Sequence, residues 1–231
     1  MEKAVVLLSG GIDSTTCLAI AAEKLGVEQV TALSIYYGQK HDKELACARK
    51  IAAHYGVRHI EHDITSLMAF SQCSLLKQSK EEIPHTSYSE QLAQRKGTEP
   101  VSTYVPFRNG LFLSAAASLA LALGAEIVYY GAHADDAAGA AYPDCTPEFY
   151  QAMNTAVYEG SGKVCRIEAP LLLWNKTRIV KEGLRRNAPY EYTWSCYEGK
   201  ETPCGVCGTC RDRARAFAEN GVKDPALAIK L

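Results

Sequence analysis

Ala4-Val5-Val6-Leu7-Leu8-Ser9-Gly10-Gly11-Ile12-Asp13-Ser14-Thr15-Thr16-Cys17-Leu18 is the stretch that decides the fold. The apolar run Ala4–Leu8 predicts a buried strand, and apolar residues return at helical period over Asp13–Leu25. Between them, paired glycines admit the positive backbone torsions of a tight turn, and without Cβ atoms their amides can close around an anion. Ser9, Ser14 and Thr15 add hydroxyl donors, and the helix start adds its positive dipole end, so the turn suits a phosphate chain. A plain strand-turn-helix with Asp13 or Ser14 as N-cap is the alternative reading. The turn is not a Walker A loop, because no Lys follows the glycines, and it is not G-x-G-x-x-G either.

Outward from this turn, short β-branched runs alternate with longer helical segments. Val30–Tyr36, His59–Asp63, Glu126–Gly131 and Val164–Glu168 join Ala4–Leu8 as predicted strands. Asp42–Tyr55, Asn109–Leu123, Pro147–Glu159 and Lys176–Arg186 join Asp13–Leu25 as predicted helices. The helix from Asp42 places Leu45, Ala48, Ile51, Ala52 and Tyr55 on one stripe, as a helix lying on a sheet requires. This rhythm predicts an α/β fold, a doubly wound and mainly parallel sheet whose ligand crevice lies beyond the strand C-termini. Thr65–Thr103 is polar and aperiodic and reads as an insertion or loop over that crevice. Residues 187–231 concentrate Pro, Gly and Cys and read as a small metal-knitted appendage to a single domain spanning 1–231.

The composition agrees with an ordinary globular domain: 231 residues, 47% hydrophobic and 22% charged. A net charge of −1 argues against a broad basic field for nucleic acid. The charge is uneven, with 12 Lys/Arg against 18 Asp/Glu in Met1–Gly162 and 13 against 8 in Lys163–Leu231, which predicts attraction between the two parts. Ala4–Leu8 is too short for a signal-peptide core and carries acidic Glu2 in its flank, while Gly110–Ala125 is too short for a membrane span and reads as a buried helix. With nine cysteines and no export signal, reduced thiols and a cytoplasmic location are expected.

Four of those cysteines form a tight set. Cys196, Cys204, Cys207 and Cys210 are spaced C-x7-C-x2-C-x2-C, with Gly205 and Gly208 inside the x2 steps. Tetrahedral Zn2+ takes four such soft donors at ~2.3 Å, so a closed structural zinc site is the reading, with a redox or sulfur-carrying dithiol as its rival. Cys17, Cys47, Cys73, Cys145 and Cys165 are scattered and read as small buried hydrophobes.

The Ser9–Ser14 turn resembles the S-G-G-x-D-S loop of the ATP pyrophosphatase superfamily, whose members cleave ATP between its α- and β-phosphates and activate an oxygen as an adenylate. With the cysteine set, the resemblance narrows to the 7-cyano-7-deazaguanine synthase family of the queuosine pathway and covers nearly the whole chain. Its further matches are Tyr37-Gly38-Gln39-Lys40-His41, Val105-Pro106-Phe107-Arg108-Asn109 and Gly131, which opens a loop ending in Tyr142-Pro143-Asp144-Cys145. Trp174-Asn175-Lys176 and Trp194-Ser195-Cys196-Tyr197 complete the set.

The resemblance implies an adenylating ligase that joins ammonia to a deazapurine acid and forms a nitrile, acting as a homodimer with no direct nucleic-acid contact. It implies ATP and Mg2+ at Leu8 through Leu18 with Asn109, catalytic roles for Asp13, Arg108 and Lys176, and one structural Zn2+ on the four cysteines. Tyr37, Gln39, His41, His133, Tyr142 and Asp144 would hold the substrate. The residues themselves leave plainer readings open. Arg108 and Asn109 begin a helix and read equally as an ordinary cap. Lys176 opens a helix, where a cation opposes the dipole unless an anion lies close, and that makes it a candidate phosphate ligand. His41 and His133 fit ordinary surface or core histidines, and Tyr142-Pro143-Asp144 fits a simple turn. A tRNA thiolase of the same superfamily and a non-catalytic, zinc-stabilised nucleotide-binding regulator are the rival functions.

Overall fold

The computed structural model describes residues 1–40, 43–71, 73–81, 101 and 103–227. Five strands, β1 (Ala4–Leu7), β2 (Val30–Tyr36), β3 (Arg58–Asp63), β4 (Ile127–Tyr129) and β5 (Arg166–Glu168), pair in the order β3-β2-β1-β4-β5 with every neighbour parallel. The doubly wound parallel sheet expected from the sequence is present. Its order reverses between β1 and β4, the place where such sheets open a crevice for ligand beyond their C-terminal ends.

Strand alternation divides the core in two. Ala4, Val6 and Leu8 face a cluster filled by α1 (Ile12–Leu25), α2 (Lys43–Tyr55), α7 (Lys176–Arg185) and α8 (Gly208–Glu219). Val5, Val128 and Ile167 face the other side, where α3 (Thr65–Met68), α4 (Arg108–Leu123) and α6 (Pro147–Gly160) pack. A single-turn helix, α5 (Ala134–Ala137), follows β4. The apolar stretch Gly110–Ala125 forms most of α4, which buries Gly110, Leu113, Ala116, Ala117 and Ala120 against the sheet.

Residues 187–227 carry the expected cysteine set and pack directly onto the sheet's helices. Tyr190, Trp194, Cys196, Cys207, Cys210, Ala216 and Phe217 belong to the same core cluster as α1 and α2, so this segment is integral to the domain. The helix α8 was not expected. Its buried face is Gly208, Cys210, Arg213, Ala216 and Phe217, and an arginine at the centre of that face hides the apolar period. The Arg213 guanidinium is satisfied by Asp224 at 2.6 and 2.8 Å and by the Thr193 hydroxyl at 2.9 Å. Of the expected insertion, residues 65–71, 73–81, 101 and 103 are described; Gln39 bridges to Leu76 in it, and 82–100 lie outside the described residues. The uneven charge resolves as ion pairs between the two parts, Arg166 with Glu2, Arg186 with Glu23 and Lys176 with Asp13.

Candidate functional site

The turn after β1 is built by its own hydroxyls. Ser9 Oγ lies 3.0 Å from Ser14 Oγ, the Gly11 amide donates to Ser9 Oγ at 3.3 Å, and the Ser14 and Thr15 hydroxyls donate to the Gly11 carbonyl. Only Gly10 of the glycine pair takes a positive φ, +92°. A Cβ there would lie 2.1 Å from the Glu44 carbonyl oxygen, so Gly10 lets the turn rest on α2. Gly11 is extended, φ −85° and ψ 172°, and serves as the N-cap of α1, where it offers no side chain to accept the free amides of the first turn. Neither Asp13 nor Ser14 caps the helix. The open end faces a cavity of about 250 Å³ lined by Ser9, Gly11, Ile12, Asp13 and Ser14. Thr15, Thr16, Cys17 and Leu18 continue α1 into the core; Thr16 meets Tyr190 Oη at 2.7 Å.

Beside the turn, four side chains form one charged knot. Lys176 Nζ donates to both Asp13 carboxylate oxygens at 2.7 Å, and His133 Nε2 lies 3.1 Å from the same ammonium and 3.2 Å from Asp136 Oδ2. Asp135 Oδ2 accepts the backbone N–H of Lys176 at 2.8 Å, so carboxylates offset the cation at the positive end of α7. Burial works against the charge on Asp13, but Lys176 and His133 outweigh it and hold the carboxyl below its ordinary value. Burial likewise disfavours the Lys176 ammonium, and Asp13 and Asp136 reverse that and raise it. Gly131, at the exit of β4, lets this wall approach: a Cβ there would sit 3.2 Å from Asp13. Hard carboxylate oxygens beside an open helix end are the donors Mg2+ takes, so Asp13 and Asp136 fit that ion.

The other end of the cavity carries Tyr37, Gln39, Arg108, Asn109 and Phe112. Arg108 donates to Tyr37 Oη at 3.3 Å and lies over the Tyr37 and Phe112 rings. Gln39 Oε1 accepts the Tyr37 N–H at 3.0 Å. Asn109 and Asp144 hold one another, with the Asn109 backbone N–H donating to Asp144 Oδ2 at 2.8 Å and its side-chain amide to the Asp144 carbonyl at 3.2 Å. Asp144 thus secures the start of α4. Tyr142 bonds the Thr103 hydroxyl at 2.6 Å inside the core. Neither Tyr142 nor Asp144 lines the cavity, whereas His133 does, beside Asp13 and Lys176. His41 lies outside the described residues. Sequence reasoning overlooked Glu44, Ser195, Asp212 and Arg213, all of which line the cavity. Glu44 was detectable as a charge one turn before Ala48 on the buried stripe of α2; Asp212 and Arg213 sit on the unexpected α8.

The four cysteine sulfurs lie within 4.8 Å of one another, and all four thiols are free of disulfides. Cys196 Sγ accepts the Cys204 N–H and Cys204 Sγ accepts the Cys207 N–H, both at 3.3 Å. A tetrahedral ion with bonds of ~2.3 Å needs sulfurs about 3.8 Å apart, so the donor set fits Zn2+. No helix among the described residues is long and apolar enough to cross a membrane.

Residues 3–221 match the model of a family described as queuosine biosynthesis protein QueC. The chain belongs to that family. A 7-cyano-7-deazaguanine synthase of Archaeoglobus fulgidus is 44% identical over 227 residues, covering 98% of this chain and 90% of that protein. The enzyme of the same name from Oceanobacillus iheyensis is 44% identical over 230 residues, 97% of each chain. Solved structures share the fold: NMN synthetase of Francisella tularensis has a TM-score of 0.51 at 17% identity, over 96% of this QueC-family chain and 78% of its own. The U34-tRNA thiolase NcsA of Methanococcus maripaludis, with its [4Fe-4S] cluster, has a TM-score of 0.50 at 14% identity, over 95% and 66%.

Proposed function

We propose that this chain converts 7-carboxy-7-deazaguanine and ammonia to 7-cyano-7-deazaguanine, cleaving ATP to AMP and pyrophosphate at two successive steps. A carboxylate does not react with ammonia in water, because its oxygen is a poor leaving group. Transfer of AMP to that oxygen releases pyrophosphate and creates a good one. Ammonia then adds and AMP departs, leaving a primary amide. A second adenylation, on the amide oxygen, permits loss of AMP and of both nitrogen-bound protons to give the nitrile.

The observation that carries the reading is the uncapped start of α1 facing one cavity with the Asp13–Lys176 pair at its side. Amides and hydroxyls of Ser9–Ser14 would hold the departing pyrophosphate, and Lys176 would move from Asp13 to a phosphate oxygen. Mg2+, held by Asp13 and Asp136, would neutralise phosphate charge. Arg108 would meet the anionic substrate or the phosphoryl group opposite. Zn2+ on the four cysteines is structural, free ammonia is the nitrogen donor, and the working form is a cytoplasmic homodimer. A thiolase needs a reactive thiolate in the cavity. Burial, with Asp136 and Asp144 nearby, pushes the Cys145 thiol well above its ordinary value, which speaks against that role.

Labelled ATP followed by phosphorus NMR tests the sequence of steps. Two AMP and two pyrophosphate are expected per nitrile, and 7-amido-7-deazaguanine supplied directly is expected to react with one ATP and no ammonia. ADP as the nucleotide product, or an amide that is never consumed, overturns the mechanism.

A further inference from the structure

Glu44 places a carboxylic acid in the cavity lining. It stands in the first turn of α2, and its own carbonyl lies against Gly10, which fixes the helix start on the phosphate loop. Among the described residues its carboxylate makes no hydrogen bond or ion pair. Burial pushes it up to about 7, with the Arg108 guanidinium pulling the other way. Glu44 is half-buried in the cavity wall, and a carboxylate with part of its water removed gains from donors that a ligand supplies. Arg108 and Tyr37 lie near enough to interact with Glu44, and Phe112 and Tyr197 line the same cavity, a wall suited to a flat heteroaromatic ring.

We propose that Glu44 reads the aminopyrimidinone edge of the substrate, its two oxygens accepting the ring N1–H and the exocyclic 2-amino group. This rests on the function proposed above and names the residue that selects its base. A guanine-type edge presents those two donors side by side, at the spacing of one carboxylate. An adenine edge presents a lone pair at N1, which the carboxylate repels. Glu44 therefore also keeps the base of ATP out of this end of the cavity, a discrimination that two equal purine pockets could not make.

The test is Glu44→Gln in the full-length chain, with unchanged circular dichroism and zinc content as the control for folding. Gln keeps one acceptor and turns the other into a donor that clashes with the substrate. The KM for 7-carboxy-7-deazaguanine is expected to rise about 10- to 100-fold, with the KM values for ATP and ammonia within about twofold of wild type. Wild type is expected to favour this acid over 7-carboxy-7-deazahypoxanthine, which lacks the 2-amino group, and the variant to lose most of that preference. Glu44→Asp, which keeps the charge on a shorter arm, is expected to fall between and serves as the readout if the Gln variant does not fold. An unchanged KM for the acid, a rise confined to ATP or to ammonia, or an undiminished preference for the 2-amino compound overturns the assignment. Calorimetric binding of the two acids separates the two levels. If wild type binds the guanine acid without converting it, the reaction fails and the Glu44 comparison is read from the binding constants. If it binds neither acid, both readings fail.

Discussion

Lys176 Nζ grips both carboxylate oxygens of Asp13 at 2.7 Å, joining the first residue of α7 to the start of α1. The pair has a defined pH window. The folded value of Asp13 is depressed, so its contribution is complete above about pH 4 and is lost as pH falls through the folded value. The folded value of Lys176 is raised, so its contribution is complete below about pH 10 and is lost as pH rises through the folded value. Lys176→Met is expected to cost about 2 kcal/mol at pH 7, and the gap between its urea midpoint and that of wild type should narrow as pH falls below about 4. A gap that stays constant over that range would sink the assignment.

The same pair links structure to chemistry. Asp13→Asn leaves the ammonium without its carboxylate, and in the mechanism proposed above both adenylations would use this one loop. Turnover of the acid and of the amide should therefore fall together, by about 100-fold or more. Single-turnover assays with each substrate check it; loss of only one half-reaction contradicts a shared site.

Gly10 and Gly11 should fail differently. Gly10→Ala drives a Cβ to 2.1 Å from the Glu44 carbonyl at a φ of +92°, so it is expected to lower thermal stability sharply. A Cβ on Gly11 meets nothing nearer than Ser9 Oγ at 3.5 Å, and its extended backbone accepts a β-branched residue. Gly11→Val should keep the fold and abolish ATP binding, measured by calorimetry. Retained affinity would put the nucleotide elsewhere.

Purified protein should contain one equivalent of zinc and no iron. Cys207→Ser should lose the metal and a large part of the apparent ~10–16 kcal/mol that such a site lends to folding. Because Cys196 and Cys207 share a core cluster with α1, nucleotide binding should weaken with metal loss. Intact ATP affinity in zinc-free, folded protein would contradict that coupling.

The pair Arg213 and Asp224 is buried, at 8% and 5% side-chain exposure. Asp224→Ala strands the guanidinium and should cost about 3–5 kcal/mol, read from chemical denaturation. A cost below about 1 kcal/mol would mean that Thr193 and Ser195 satisfy Arg213 alone.

The fold was legible because β1 and α1 obey local rules: an apolar run, two glycines, then helical period. The same holds for α4, whose apolar length announces a buried helix. α8 escaped because its central buried residue is Arg213, made tolerable by Asp224 and Thr193, partners no periodicity reveals. The site divided along the same line. Asp13 and Lys176 could be singled out from the turn and the helix start, but their contact spans most of the chain and belongs to tertiary structure. Tyr142 and Asp144 carry polar groups that suit a ligand equally well, and only their bonds to Thr103 and Asn109 show that they brace the protein itself.

The Trp194 N–H donates to the Gly10 carbonyl at 3.0 Å, and the Trp194 carbonyl stands beside Gly11. The turn and the strut that completes it lie far apart in the sequence. Such a long-range contact forms late in folding, after the loop-closure entropy of nearly the whole chain has been met. A chain that lacks the segment from Thr193 onward has the glycines and the hydroxyls but not their support, so the turn is held in its folded form only once Trp194 has docked.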